Sequence, residues 1–266
     1  MNLIIQNIID YKIIQKITSL HYDIGDNITL STSDYQKYLS AIKLIESGYP
    51  LDYYIGELYI GDLLFNTPEG VFIPRVCTEQ LIDIAQTIIL DNNIDEVYDI
   101  CSGTGLIGIS IASKFSDIHV HMIELDNLAY QTSKTNIQNN KLINISCSNT
   151  NAFDFALYFN NVSNSSINKS KNYLILCNPP YVPDGKIDDS VRFEPPGAIY
   201  SGKDGLTFFK KFIKILPNNF PMHIILELDP RNILQAQAII NDKFHCNIIK
   251  DNEGFERFLY AKSIID

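Results

Sequence analysis

The feature that most constrains this chain is the apolar run Tyr173-Leu174-Ile175-Leu176-Cys177, closed by Asn178-Pro179-Pro180-Tyr181. A short continuous apolar run bounded by turn residues reads as a strand buried on both faces, as in a parallel sheet. Two prolines directly behind it forbid further ladder pairing and the start of a helix. The chain is thereby held at the carboxyl end of a central strand, where open α/β sheets place their ligands. The Asn178 side chain offers one carbonyl acceptor and an NH2 donor group. Pro179 and Pro180 keep carbonyls without N–H groups, and Tyr181 adds a flat aromatic face. Such a set suits a planar NH2 group conjugated to a carbonyl or a ring: acceptors for its hydrogens and a surface to stack on. The same four residues also suit an ordinary turn after a strand.

A second segment narrows the choice. Val97-Tyr98-Asp99-Ile100-Cys101 reads as the first strand of a doubly wound sheet, running into Ser102-Gly103-Thr104-Gly105 and a helix over LIGISIASKF. Strand, glycine turn and helix in that order form a nucleotide-type cradle. It is not a phosphate-binding P-loop, because no GK[ST] follows. The next strand, His119-Val120-His121-Met122-Ile123, ends in Glu124. A carboxylate about 20 residues beyond the glycine turn is placed to reach a ribose diol. His119 and His121 alternate along that strand and read as structural, not as metal ligands. A helix over Asn127 to Asn139 and a third strand, Ile143 to Cys147, follow. Asn151-Ala152-Phe153-Asp154-Phe155 then offers a polar group for the edge of an adenine and an aromatic for its face.

The flanks are read from periodicity and turn signals. Residues 3–18 form an amphipathic helix and Ser31 to Ser47 a second. Tyr53 to Ile73 is a β-hairpin turning at Thr67-Pro68-Glu69-Gly70. A helix begins near Cys77 or Thr78, and Arg75 and Glu79 make a surface pair. Residues 160–172 are a polar surface connector. Val191 to Leu206, rich in glycine and proline, walls the site. A helix over TFFKKFIKIL, a strand His223 to Glu227, a helix over 232–241 and a closing hairpin (His245 to Ile249, Arg257 to Ala261) complete the chain.

Composition supports one large domain or a main domain with a small appendage: 266 residues, 45% hydrophobic and 20% charged. Without a long apolar run or a basic leader, the expectation is a soluble cytoplasmic protein. Five cysteines, never spaced CxxC, suggest neither a disulfide framework nor a zinc site, and most read as buried thiols. A net charge of −10 argues against non-specific duplex binding, which relies on basic residues at phosphates.

Together these segments resemble the HemK/PrmC family of protein N5-glutamine methyltransferases. The resemblance runs from about Gly48 to the C-terminus, over YYIGELYIGDLLF, IPR-x-x-TE, DxCxGTG, Glu124, NPPY and RFEPPGAIYSGKDGL. It implies an S-adenosylmethionine-dependent enzyme on a Rossmann-like, seven-stranded class I methyltransferase sheet. Residues 1–52 would form a helical substrate-docking region, 53–73 a β-hairpin linker and 74–266 the methyltransferase domain. By the same resemblance Asp99, Cys101, Ser102, Gly103, Thr104 and Gly105 would lie against the methionine and ribose of the cofactor. Glu124 would bind the ribose hydroxyls and Phe153 would lie near the adenine. Asn178 would touch cofactor and substrate, and Pro179, Pro180 and Tyr181 would complete a glutamine clamp, with Glu194 also on the substrate. The implied substrate is the glutamine of a Gly-Gly-Gln loop in a peptide chain release factor, handled by a monomer with no metal, no stable nucleic acid and no membrane. Several places depart from the family pattern: Asp229-Pro230 stands where the family has glycine after the strand ending in Glu227, and the part ahead of the hairpin is shorter than the family norm. Cys101 stands where the family has glycine, and Val76-Cys77 where it has proline and an acidic residue. Two other readings stay open: an adenine-N6 nucleic-acid methyltransferase, whose flipped base would present the same kind of amine, and a catalytically silent cofactor-fold binding protein.

Overall fold

The computed structural model describes residues 1–163, 171–185, 189–217, 221–241 and 243–264. Asn7 decides where the first helix begins. Its side chain accepts hydrogen bonds from Ile9 N and Asp10 N, satisfying free donors of the first turn, so α1 spans Ile8–Thr18. A helix from residue 3 is therefore too early. Asn2–Ile4 instead forms β1, antiparallel to β2 (Asn27–Thr29). Ser31 caps α2 (Thr32–Glu46) by accepting from Asp34 N at 3.0 Å. Ile5, Ile13, Ile14, Ile28, Leu30 and Tyr38 close a small apolar cluster among these elements.

Tyr53, Tyr54 and Ile55 lie in a short helix, α3 (Leu51–Ile55), not in a strand. The hairpin is β3 (Glu57–Ile60) with β4 (Leu63–Asn66). Its turn is Gly61-Asp62, six residues before the expected site. Both places carry turn residues, but a two-residue loop led by glycine closes a hairpin with the right twist. Pro68 to Val71 forms a separate turn beyond the hairpin.

The remaining elements alternate. They are α4 (Val76–Asn92), β5 (Glu96–Ile100), α5 (Leu106–Lys114), β6 (His119–Glu124), α6 (Asn127–Asn139), β7 (Ile145–Asn149) and α7 (Ala152–Ser163). After them come β8 (Tyr173–Cys177), α8 (Thr207–Ile215), β9 (Met222–Glu227), α9 (Ile233–Ile240), β10 (Phe244–Lys250) and β11 (Glu256–Ser263). They build one seven-stranded sheet in the order β10-β11-β9-β8-β5-β6-β7. β5 to β9 run parallel, and β11 is antiparallel to both its neighbours. Every residue of β8 is buried. Tyr173, Ile175 and Cys177 share one core with α7, α8 and α9, and Leu174 and Leu176 share another with α4 and α5. That two-sided burial is why the run is continuously apolar.

β7 begins two residues later than expected, since Ile143 is left outside it and 95% exposed. α7 extends into the expected polar connector as far as Ser163, residues 164–170 lie outside the described residues, and its last part is anchored: Asn172 N donates to Asp95 Oδ2 at 2.7 Å. Cys177 is buried, whereas the other four cysteines are only half-buried. Among the described residues no helix is long and apolar enough to cross a membrane.

Side-chain amides at the end of α6, Asn136 within it and Asn140 at its C-cap, fill the edge of β4. Asn140 accepts from Leu64 N at 3.0 Å and donates to Leu64 O at 2.8 Å. One turn back, Asn136 accepts from Asn66 N at 2.8 Å and donates to Thr104 O at 2.8 Å. The hairpin is thereby joined to the glycine loop after β5.

Candidate active site

The parallel register sets a row of residues across the sheet. Ile100 pairs with Ile123 and Cys177, and Cys177 pairs with Leu226. The residues that follow, Glu124, Cys101, Asn178 and Glu227, therefore stand level at the carboxyl ends of β6, β5, β8 and β9. The strand order reverses direction between β5 and β8, the crevice where doubly wound sheets bind ligands. A cavity of about 620 Å³ opens there.

One end of the cavity suits a nucleoside. Glu124 Oε2 accepts from Gly103 N and Oε1 from Asp126 N, each at 2.8 Å. Burial pushes its pKa up while these N–H groups oppose the rise. Each oxygen keeps a lone pair for a ligand hydroxyl. Ser102 Oγ is buried with no nitrogen or oxygen partner, only the weakly bonding Cys147 thiol beside it. A Cβ on Gly103 would meet nothing within 4 Å, so the loop backbone is open to a ligand. Phe153 lines the cavity and packs on Phe208, ring centroids 5.2 Å apart. The residues present fit a group that carries a diol and an aromatic base. Cys101 occupies the left-handed region at φ 59°, a conformation that favours glycine.

Asp99 and Gly105 do not line this cavity. Asp99 is fully buried beneath the loop, and its Oδ2 accepts from Gly108 N at 2.8 Å. Burial pushes its pKa up to about 7, with the Gly108 N–H opposing and the charge of Glu124 adding. It secures the start of α5 under the loop.

The other end is built on Asn178. Its Nδ2 donates to Thr78 Oγ1 at 3.1 Å, and Thr78 Oγ1 donates to Glu227 Oε2 at 3.0 Å. Glu227 Oε1 also accepts from Tyr181 OH at 2.9 Å and from Cys77 Sγ at 3.3 Å. Glu227 is fully buried, which pushes its pKa up, and these donors oppose the rise. Asn232 Nδ2 donates to the Tyr181 carbonyl at 3.2 Å. Pro179, Pro180 and Tyr181 line the cavity beside Asn178. The expected wall is present in Val191, Pro195, Gly197, Ala198 and Ile199, and Val182 N donates to Ile199 O at 2.9 Å.

Glu194 stands behind that wall, not on the cavity surface. It is buried, accepts from Ile73 N at 2.9 Å and is paired with Arg75. This corrects two expectations, since Arg75 pairs with Glu194 and not with Glu79. Thr78, Glu227 and Asn232 are the residues that sequence reading missed. A signal for Glu227 was present in the sequence, because it closes an apolar strand just as Glu124 does.

The methyltransferase small domain family matches residues 63–194. The release factor glutamine methyltransferase of Mycoplasma mycoides subsp. mycoides SC is 31% identical over 234 residues, covering 84% of this chain and 79% of the relative. The chain belongs to the release factor glutamine methyltransferase family. The relative of the same name from Clostridium botulinum is 29% identical, covering 85% of this chain and 80% of its own length. Among solved structures, the hMettl16 catalytic domain aligns at a TM-score of 0.53 and 15% identity, over 91% of this chain and 86% of that one. That likeness shows the fold, which is the expected methyltransferase sheet. In this member of the family the Val76-Cys77 departure is absorbed without loss of packing: Val76 is 84% exposed at the start of α4, and Cys77 reaches Glu227.

Proposed function

We propose that this chain transfers the methyl group of S-adenosylmethionine to the side-chain amide nitrogen of a protein glutamine, that of the Gly-Gly-Gln loop of a peptide chain release factor. The observation that carries the reading is the orientation of Asn178. Its NH2 group is engaged by Thr78 Oγ1, which leaves Oδ1 as an acceptor beside the Pro179 carbonyl. The names of the relatives at 29% and 31% identity support the same acceptor and disfavour the adenine reading.

When bound, S-adenosylmethionine supplies an electrophilic sulfonium methyl. An amide nitrogen is a poor nucleophile because its lone pair is delocalised. Asn178 Oδ1 and the Pro179 carbonyl accept its two hydrogens, aim the nitrogen at the methyl and stabilise the positive charge that develops. Tyr181 and Pro180 flank the planar amide. The N–C bond forms as the donor's S–C bond breaks, and the displaced amide proton leaves to solvent. At the other end Glu124 would hold the ribose hydroxyls, Cys101 to Thr104 would lie along the ribose and methionine, and Phe153 would face the adenine. Residues 1–52 dock the protein substrate, and 53–73 carry that region to the methyltransferase portion.

Incubation with labelled S-adenosylmethionine and a release factor, read by peptide mass spectrometry, tests the reading. One methyl on the Gly-Gly-Gln glutamine is expected, with Asn178→Ala lowering turnover on the order of 10²–10³-fold and leaving cofactor binding in place. Near-normal methylation by Asn178→Ala would sink the clamp. Absent transfer with intact cofactor binding would move the acceptor to another amide.

A further inference from the structure

An asparagine amide has a donor end and an acceptor end of similar size, so the clamp works only if Asn178 is locked one way round. Flipped, it would turn two N–H groups toward the NH2 of an acceptor glutamine and repel it. The Thr78 hydroxyl sets the choice, because it has a single proton. That proton goes to Glu227 Oε2 at 3.0 Å, and an ionised carboxylate accepts only. Thr78 Oγ1 is then left to meet Asn178 as an acceptor, from Nδ2 at 3.1 Å. Tyr181 OH and Cys77 Sγ point their protons at the same carboxylate. Glu227 is fully buried and does not line the cavity, so it acts only through its neighbours.

We propose that Glu227 is the positioning residue that fixes the donor–acceptor polarity of the Asn178 clamp, through Thr78 and Tyr181. The inference rests on the glutamine-clamp reading above. A neutral amide at this place reverses the relay. In Glu227→Gln the new Nε2 donates to Thr78 Oγ1, the Thr78 proton turns to Asn178, and Asn178 presents its NH2 group to the substrate.

The test uses the full chain, with release-factor methylation at saturating substrates, cofactor affinity by calorimetry and thermal unfolding. Glu227→Gln is expected to lower kcat on the order of 10²-fold while cofactor Kd holds. Thr78→Val, which removes the relaying hydroxyl, lowers kcat similarly, and Thr78→Ser restores much of it. Because the two residues act as one unit, Glu227→Gln with Thr78→Val is little worse than either alone. The pH profile adds a readout that packing alone does not move. Glu227 faces Cys77 and Thr78 on α4, Tyr181 on the loop and Arg257 on β11, itself paired to Asp251. Protonation of Glu227 breaks the relay, so wild-type kcat falls on the acid side, with the limb moved upward by the burial of Glu227. The residual kcat of Glu227→Gln lacks that limb. Wild-type kcat in folded Glu227→Gln overturns the proposal. If that variant does not fold, wild-type kcat in Thr78→Val overturns it instead. An active Asn178→Ala removes the clamp reading itself, whereas an inactive Asn178→Ala beside a fully active Glu227→Gln removes only the role of Glu227.

Discussion

Gly205 lies where the wall segment passes against the Asn178 clamp, and an alanine there tests how tightly the clamp is held. Its φ is +72°, and an added Cβ would stand 2.2 Å from the Tyr181 carbonyl oxygen and 2.7 Å from Asn232 Nδ2. Ordinary contact begins at 3.4 Å, so one backbone or the other must retreat by about 1 Å, a displacement that costs roughly 10²-fold when it reaches a reacting centre. Tyr181 has little freedom to absorb it alone. Its hydroxyl is tied to Glu227, and the next residue is bonded to Ile199. The shift is therefore shared with Pro180 and Asn178. The left-handed backbone adds a penalty of about 1–2 kcal/mol, or roughly 2–8 °C in Tm for a chain of this size. Gly205→Ala is expected to lower kcat for release-factor methylation about 10²-fold. Cofactor affinity by calorimetry should hold, because Glu124 and Phe153 lie at the far end of the cavity. Wild-type kcat in this variant would refute the argument that the wall segment fixes the clamp.

Two further perturbations address the opposite end. If Glu124 holds the ribose as proposed, Glu124→Ala removes charge-assisted hydrogen bonds and should raise cofactor Kd roughly 10–100-fold by calorimetry; an unchanged Kd takes Glu124 out of that role. Asp99 ionises near pH 7 in the fold, against 3.8 ordinarily. The native state therefore holds more protons than the unfolded chain between those values, and stability falls as pH rises through that window. The full span is roughly 4 kcal/mol. Asp99→Asn, which keeps an acceptor for Gly108 N, should flatten the fall in Tm between about pH 5 and pH 8; equal slopes in both proteins would count against it.

The strands, and Glu124, Cys101 and Asn178 at their ends, were legible because β8 and the neighbouring parallel strands alternate between two buried faces, and burial writes itself into sequence as apolar runs. Partners chosen across long stretches of chain were not. Arg75 and Glu79 have the spacing of a helical pair, yet Arg75 occupies the extended N-cap of α4 and turns to Glu194, 119 residues on. Glu124 and Glu227 look alike in sequence, each closing an apolar strand. What separates them is the cover above each: Glu124 opens to the cavity, whereas Thr78, Cys77 and Tyr181 close over Glu227. The hairpin turn was misplaced because two turn signals compete within ten residues, and only the strand lengths around Gly61-Asp62 decide between them.

The asparagine pair at the end of α6 has a mechanical consequence. With Asn140 bonded to Leu64 and Asn136 to both Asn66 and Thr104, the hairpin behaves as a strut bolted to the ligand loop, not as a hinge. Arg192, bonded to Ser47 O, adds a second brace from the wall segment to the end of α2. The end of α2 is thus tied to the wall of the acceptor end, and in the reading proposed above a protein docked across both would meet a span that these contacts set, as between the jaws of a calliper.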